Sequence, residues 1–254
     1  MTHEVAMGTE ALFTAVLLGD DETVAELLGS GVGAETADED EQTALHLAAV
    51  QDRPGIVRLL LSAGADPNRG SGPEQGELPL AGAATWGHTE AVRILLEAGA
   101  LPDRRDEFGD TALLSALRNG HATTAGVLLA FGADPELCAE EGESPLLTAV
   151  RRGSSPAVRV LLDHGVSAAH QRVALTEART WLDRDVADGL HAELVHAHGG
   201  GHRSVVRRET NREGIETVVV ELLRDGEPFA GKERETGHRE IAVLLEEALG
   251  ERTR

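Results

Sequence analysis

Four histidines lie close together late in the sequence, at His191, His196, His198 and His202. Imidazole is a common ligand of zinc and nickel, so this cluster suggests a metal site. His191 and His198 are seven residues apart and would share one face of a helix, whereas His196 and His198 would not. No cysteine lies nearby, and the spacing matches no compact zinc motif. We therefore predict that the cluster holds no resident metal.

The sequence also offers little for nucleophilic catalysis. Such an enzyme needs a reactive group beside an oriented base, and Cys138 is the only cysteine. The neighbouring carboxylates of Glu136, Glu140 and Glu141 disfavour a thiolate at this position. A single cysteine also excludes a disulfide within the chain. Neither a glycine-rich phosphate loop nor a serine-hydrolase or metalloprotease motif is found, so we predict no catalytic residue and no cofactor.

The composition limits the partners that the chain can bind. Its 254 residues include 44 acidic side chains and 23 Lys or Arg side chains, giving a net charge of −21. This excess argues against nucleic acid and against an anionic membrane surface, because both attract positive charge. It favours a protein partner with a basic surface, although an acidic surface also keeps an elongated protein soluble. A single lysine, Lys232, is typical of a GC-rich bacterial genome.

The N-terminus and the hydropathy of the chain bear on its location. No basic region followed by an apolar run precedes the first predicted helix, which argues against a secretory signal. No stretch approaches the roughly 20 apolar residues that a membrane span needs. We therefore expect a cytoplasmic protein.

Residues 43–68 contain two short helical patterns. Thr43 has the hydroxyl that caps a helix start. The second pattern begins near Pro54, a favourable first-turn residue, and carries a wide stripe of Ile, Val and Leu that is suited to burial. Gly64 supplies the left-handed conformation that ends many helices, and Asp66 begins a turn.

The same unit recurs along the chain. Its helix-ending glycines are separated by 33, 35, 33 and 33 residues, and the helix starts repeat with the same spacings. The glycines are Gly31, Gly64, Gly99, Gly132 and Gly165, and the starts are Glu10, Thr43, Leu78, Thr111 and Ser144. Two markers with one period indicate stacked units that bury their apolar stripes against one another. The longer spacing falls at the turn-rich segment 69–73, where an extended hairpin tip is expected.

Thr43-Ala44-Leu45-His46 and Gly64-Ala65-Asp66 resemble the signature of the ankyrin repeat. The resemblance implies an all-α solenoid of paired antiparallel helices joined by hairpin tips. It also implies that His46 belongs to a hydrogen-bond network with Thr43 and the neighbouring hairpin. Within residues 1–169 it predicts five repeats, at 8–34, 41–68, 76–103, 109–136 and 142–169.

The repeat pattern weakens after Gly165. Residues 173–178 resemble an inner helix, and 185–198 carry apolar residues at helical spacing. We therefore predict a divergent sixth repeat at 170–202, in which Trp181 fills the irregular interior.

In the C-terminal part of the chain, the spacing of apolar residues changes from that of helices to that of strands. Residues 204–210 and 215–222 have the composition of strands and predict a β-hairpin, with a third edge strand allowed within 228–235. We interpret 203–236 as a β-hairpin insertion and 237–254 as a C-terminal capping helix, because the latter resembles an ankyrin second helix.

Ankyrin proteins generally bind partners along a concave groove of inner helices and hairpin tips, and the resemblance assigns candidate residues here. Trp86 is one of two tryptophans, and Trp and Arg are over-represented at binding hot spots. The predicted surface is centred on Trp86, Arg118, Arg151 and Arg152. The further candidates are Asp38, Asp40, Gln51, Arg104, Arg105, Phe108 and Asn119. The alternative for Trp86 is packing on neighbouring inner helices, and for Phe108 it is packing under its hairpin.

The leading interpretation is a non-catalytic, monomeric scaffold that binds an unidentified protein through this groove. Two alternatives stay open. One is a metal-dependent or hydrolytic activity in the His-rich C-terminal region. The other is a structural or self-assembling role in which the edge of the C-terminal hairpin pairs with another copy.

Overall fold

The structure, a computed structural model, describes residues 3–74, 76–182, 186–210, 216–224, 226–235 and 237–251. These residues form thirteen helices and a three-stranded antiparallel sheet. The chain divides into two compact units, residues 1–143 (unit 1) and residues 144–254 (unit 2). The predicted fold class, a helical repeat with a β-hairpin near the C-terminus, is confirmed.

Unit 1 consists of helix pairs. Its helices are α1 (His3–Leu18), α2 (Asp21–Gly29), α3 (Ala44–Val50), α4 (Pro54–Ser62), α5 (Pro79–Thr85), α6 (Thr89–Glu97), α7 (Ala112–Arg118) and α8 (Ala122–Ala130). Each odd-numbered helix packs against the even-numbered helix that follows it. Odd-numbered helices also pack against one another in sequence, and even-numbered helices do the same. Two parallel rows of helices result, an inner odd row and an outer even row.

The ends of these short helices are set by the residues that the sequence pattern singled out. Thr43 Oγ1 accepts the backbone N–H of His46 at 3.2 Å, and Thr111 Oγ1 accepts the N–H of Leu114 at 3.3 Å. Each bond satisfies a donor in the first turn that has no partner within its helix. Gly64 follows α4 with φ of 95°, a conformation that costs other residues more than glycine. The predicted helix start at Thr43 and helix end at Gly64 are confirmed.

Large residues fill the space between the rows, and small ones line the inner row. Leu60, Leu95 and Leu128 are fully buried on successive outer helices. On the inner row, Gly82 of α5 allows a close approach to α3. A Cβ at this position would lie 2.8 Å from Val50 Cγ2 and 3.1 Å from the ring of His46. The glycine therefore fixes the spacing of α3 and α5.

Unit 2 combines helix pairs with the sheet. Its elements are α9 (Pro145–Arg152), α10 (Ser155–Asp163), α11 (Ala168–Leu182), α12 (Val186–His198), β1 (Arg203–Thr210), β2 (Glu216–Arg224), β3 (Glu227–Glu235) and α13 (His238–Leu249). The strand order is β1-β2-β3 with antiparallel pairing, so the predicted hairpin and the third strand are both present. Residues 211–215, which contain the whole predicted turn and the first residue of the second predicted strand, lie outside the described residues.

The partner of α11 differs from the prediction. The helix predicted at 185–198 corresponds to α12, but α12 packs against β2 and β3, while α11 packs against α9 and α13. Leu190 and Leu194 of α12 form a small core with Val218, Val220 and Leu222 of β2. The physical reason is that the sheet offers α12 an apolar face.

Helix α13 packs where the outer helix of a sixth pair would lie. It contacts α10 and α11, and Ser155 Oγ of α10 donates to Glu240 Oε2 at 2.7 Å. Trp181 is buried, as predicted, with its ring stacked on His238 at a centroid distance of 5.4 Å. Between α11 and α13 the chain runs through α12 and the whole sheet.

Candidate partner-binding groove

The inner helices α3, α5 and α7 of unit 1 and the hairpins beside them line a groove of about 430 Å³. Small side chains on α5, including Ala81 and Gly82, keep its floor low, as does Ser115 of α7. Trp86 and Phe108 contribute its aromatic surface, and Glu77, Asp106, Glu107 and Asp110 contribute four carboxylates. We call the inner groove the set of these residues together with His46, Val50, Leu78, Thr85, Arg118 and Asn119.

The two aromatic side chains of the inner groove are exposed. Trp86, which ends α5, is 62% exposed, and Phe108, at a hairpin tip, is 77% exposed. More than half of each residue is therefore available to a partner. The tip is held by Asp106, whose Oδ1 accepts the N–H of Phe108 at 2.9 Å and that of Asp110 at 3.0 Å.

The charge of Arg118 is balanced inside the groove. Its guanidinium donates a hydrogen bond to the Asp110 carboxylate and lies 4.0 Å from Glu143. Burial raises the pKa of the Asp110 carboxyl, and the Arg118 charge opposes that effect. Asp110 was not a predicted site residue. Its position directly before the helix-capping Thr111 is the only signal in the sequence that would have found it.

His46 lies at the edge of the inner groove as a neutral group. Its Nε2 is 3.4 Å from Glu77 Oε2, an oxygen that also accepts a hydrogen bond from Gln42 Nε2 at 2.8 Å. Burial lowers the pKa of His46, and the Glu77 charge only partly opposes this. At neutral pH, His46 therefore adds no positive charge. The backbone N–H of His46 binds Thr43, and its ring lies beside Glu77 of the neighbouring hairpin. Its buried Nδ1 has no hydrogen-bond partner among the described residues, so the network that the resemblance implied is present only in part.

The inner groove is therefore negatively charged. Four carboxylates face one arginine, and that arginine is already bound to Asp110. Glu107 is exposed and forms no ion pair with any residue that the structure describes. Low-dielectric walls concentrate such a field at the mouth of a cleft, which attracts positively charged ligands.

Most of the other predicted residues in unit 1 have internal partners. Arg105 Nη2 donates to the carbonyl oxygen of Cys138 at 2.7 Å, and Arg104 donates to the carbonyl oxygen of Asn68. Asp38 Oδ1 accepts the N–H groups of Asp40 and Gln42. These side chains hold the hairpins in place. The amide of Asn119 donates to Ser115 O at 2.8 Å, whereas Gln51 and Asp40 are exposed.

Arg151 and Arg152 lie in unit 2 and bind carboxylates there. Arg151 Nε is 3.1 Å from Glu177 Oε1 of α11, and Arg152 Nη2 is 2.7 Å from Glu233 Oε1 of β3. These ion pairs connect α9 to its neighbours. The part of the predicted surface that the inner groove contains is thus Trp86, Phe108, Arg118 and Asn119.

Two members of the histidine cluster contact an aromatic ring. The rings of His198 and His202 meet Phe229 edge-on, at centroid distances of 5.9 and 4.9 Å. Across the described ranges, no three His, Cys, Asp or Glu side chains are placed to hold a metal ion together.

Known ankyrin repeats match this chain along much of its length. Models of the family match residues 2–71 (ankyrin repeats, three copies), 82–125 (ankyrin repeats, many copies) and 141–170 (ankyrin repeat). Together these segments cover more than half of the chain, and the paired helices of unit 1 have the arrangement that such repeats require. The chain belongs to the ankyrin-repeat family.

Several curated proteins share part of the sequence. An ankyrin repeat-containing protein of Treponema pallidum is 38% identical over 109 residues, which are 42% of this chain and 36% of that protein. The 26S proteasome non-ATPase regulatory subunit 10 of Dictyostelium discoideum is 39% identical over 71 residues, 28% of this chain and 30% of the relative. Palmitoyltransferase Hip14 of Drosophila melanogaster is 40% identical over 86 residues, which are 34% of this chain and 13% of that protein. The chain thus matches a limited segment of each.

Among the described residues, no helix is both long enough and apolar enough to cross a membrane.

Proposed function

We propose that this protein is a non-catalytic scaffold that binds a basic segment of a partner protein in the inner groove of unit 1. Ankyrin repeats are generally protein–protein interaction modules. The observation that carries the finer proposal is the juxtaposition of two exposed aromatic side chains, Trp86 and Phe108, with an excess of carboxylates.

The aromatic side chains supply the apolar part of the binding energy. The chain contains only two Trp, four Phe and no Tyr, yet two of these six aromatics are exposed on the same groove. Large aromatic side chains bury roughly 150–250 Å² each when they are covered, and Trp is enriched among binding hot spots. Helix α5, which ends at Trp86, packs against α3, α6 and α7, so little ordering entropy opposes binding.

The carboxylates favour a partner segment that carries Lys or Arg. Glu107 is exposed without an ion pair among the described residues, and Glu77 faces a histidine that is neutral at pH 7. A cation between these groups would meet opposite charge, and it would gain further if it lay over the face of Trp86. Opposite charge across an interface mainly raises the association rate and selects the partner.

Reversing the charge of Glu107 tests the proposal. We expect Glu107→Lys to weaken capture of the natural partner from cell extract several-fold and to reduce the dependence of capture on salt, because it removes attraction at the groove. The matched control is Glu97→Lys, an exposed position on the outer helix α6 that changes the net charge by the same amount. Retained protein is measured by quantitative mass spectrometry at two salt concentrations. Equal effects of the two variants would reject the groove as the source of attraction.

A further inference from the structure

Strand β1 forms one edge of the sheet in unit 2, and its outer side is open. It pairs with β2 from Arg203, opposite Leu223, to Thr210, opposite Glu216. Within the described ranges, no backbone hydrogen bond joins β1 to any segment other than β2. Residues 203–209 are all exposed. A free edge of this kind presents N–H and C=O groups that can pair with another extended chain.

The opposite edge of the sheet is protected, and β1 is not. Strand β3 contains Pro228 and Gly231, its pairing with β2 is irregular between Leu222 and Leu223, and Lys232 binds Glu193 of α12. Proline, bulges and charge are devices that blunt a sheet edge. Strand β1 has eight residues without proline or glycine. It is therefore the edge on which another strand would pair without obstruction.

Val206 of β1 lies beside the small core of unit 2, whereas Val205 lies on the opposite face of the sheet, across from Glu221. Val205 is 38% exposed and Val206 is 49% exposed. Val206 is opposite Val220, which is fully buried beneath α12, and α12 packs against β2 and β3. The apolar surface of the sheet thus continues past the helix onto β1. A strand added at this edge would cover Val206 and extend the core.

The charge of β1 is opposite to that of the whole chain. Three arginines, Arg203, Arg207 and Arg208, share the strand with a single acid, Glu209, in a protein of net charge −21. At the start of the strand, Arg203 lines a cleft together with His202 and Arg224. Arg207 lies 2.6 Å from Glu221 Oε1 and 3.4 Å from Glu209 Oε1. Neither Arg203 nor Arg224 forms an ion pair with a described carboxylate, and Arg224 lies 4.4 Å above the Phe229 ring. The open edge is thus bordered by positive charge.

We propose that β1 binds an extended acidic segment of a partner protein, which joins the sheet as a fourth, antiparallel strand. Backbone hydrogen bonds would supply affinity, and Arg203, with Arg224 beside it, would select acidic side chains. A second copy of this chain fits less well, because it would bring the same arginines to the shared seam. The inference does not depend on the inner groove.

The register defines a peptide probe. An antiparallel peptide runs opposite to β1. From its N-terminus to its C-terminus, its residues therefore face Arg208, Arg207, Val206, Val205, Ser204 and Arg203 in turn. The sequence Glu-Glu-Ile-Val-Thr-Glu places acids opposite arginines and apolar residues opposite valines. The control peptide, Lys-Lys-Ile-Val-Thr-Lys, keeps the strand propensity and reverses the charge.

Titration of the full-length ¹⁵N-labelled protein with each peptide tests the proposal. We expect the acidic peptide to shift the amide signals of β1 and to bind at least tenfold more tightly than the lysine peptide. Equal affinity for the two peptides, or shifts confined to other elements, would overturn it. Sedimentation of the protein without peptide is measured in parallel. If the protein is a dimer, and deletion of residues 203–210 makes it a monomer, the edge binds a second copy instead.

Two kinds of variant sharpen this test. Arg203→Glu should weaken binding of the acidic peptide at least threefold. Arg172→Glu, at an exposed position on α11, should leave that binding unchanged. Successive N–H groups of a strand point to opposite edges, and proline has no N–H group. Of the variants Val205→Pro and Val206→Pro, one therefore removes an N–H group that points to the open edge, and the other removes a hydrogen bond to β2. The variant that keeps the β2–β3 signals should lose peptide binding. Unchanged binding by that variant would refute strand addition.

Discussion

Replacing Leu95 with alanine is expected to lower the free energy of unfolding of this protein by about 2–5 kcal/mol. Leu95 is fully buried on α6, which packs against its own partner α5 and against the outer helices α4 and α8. Truncation leaves a cavity on a helix that three other helices cover. In a stack of repeats, stability is a sum of unit and interface terms, so the loss weakens the repeats on both sides.

Urea denaturation followed by far-ultraviolet circular dichroism measures this loss. The control is Leu101→Ala, because Leu101 follows the same helix but is exposed, and the change should stay within about 0.5 kcal/mol. If both variants lowered the free energy of unfolding equally, the outer row of helices would not carry the core that the structure describes.

Removing both aromatic side chains of the inner groove should weaken partner binding strongly. In Trp86→Ala combined with Phe108→Ala, we expect capture of the partner to fall at least about 30-fold, the effect of losing one hot spot of about 2 kcal/mol. The fold should be preserved, since both side chains are largely exposed and the inner helices keep their buried alanines and leucines. Binding is measured by titration of the captured partner, and circular dichroism checks the fold.

The comparison for this experiment is the double variant Leu18→Ala and Leu101→Ala. Both leucines are exposed in unit 1 and lie outside the inner groove. This variant removes exposed apolar surface without touching the groove, so its affinity should equal that of the wild type. Equal losses in the two double variants would attribute binding to general hydrophobicity rather than to Trp86 and Phe108.

The repeat architecture was predictable because its determinants are local. A hydroxyl before a helix, as at Thr43, and a glycine after one, as at Gly64, act within a single turn and recur with a fixed period. Such markers identify helices and their order without knowledge of distant contacts. The same reasoning predicted the alternating strands β1 and β2.

The partner of α11 was not predictable in this way. Helices α12 and α13 both carry apolar residues at helical spacing, and that pattern shows that a helix has a buried face without showing what covers it. The choice is made by the sheet, which gives α12 an apolar surface in Val218, Val220 and Leu222.

The residues of the inner groove were predicted only in part. Trp86 and Phe108 were found because aromatic residues are rare in this chain, whereas Glu77 and Asp110 were hidden among 44 acidic residues. The internal bonds of Arg104 and Arg105 end on backbone carbonyl oxygens, and every residue has one of these. The sequence therefore does not show that these arginines are already hydrogen-bonded within the chain.

Hydrogen–deuterium exchange of the protein with and without its captured partner tests the central claim most directly. Binding in the inner groove predicts slower exchange at the C-terminal ends of α5 and α7 and in the hairpin at 105–110, with little change on α4, α6 and α8. Protection confined to those outer helices or to unit 2 would contradict it.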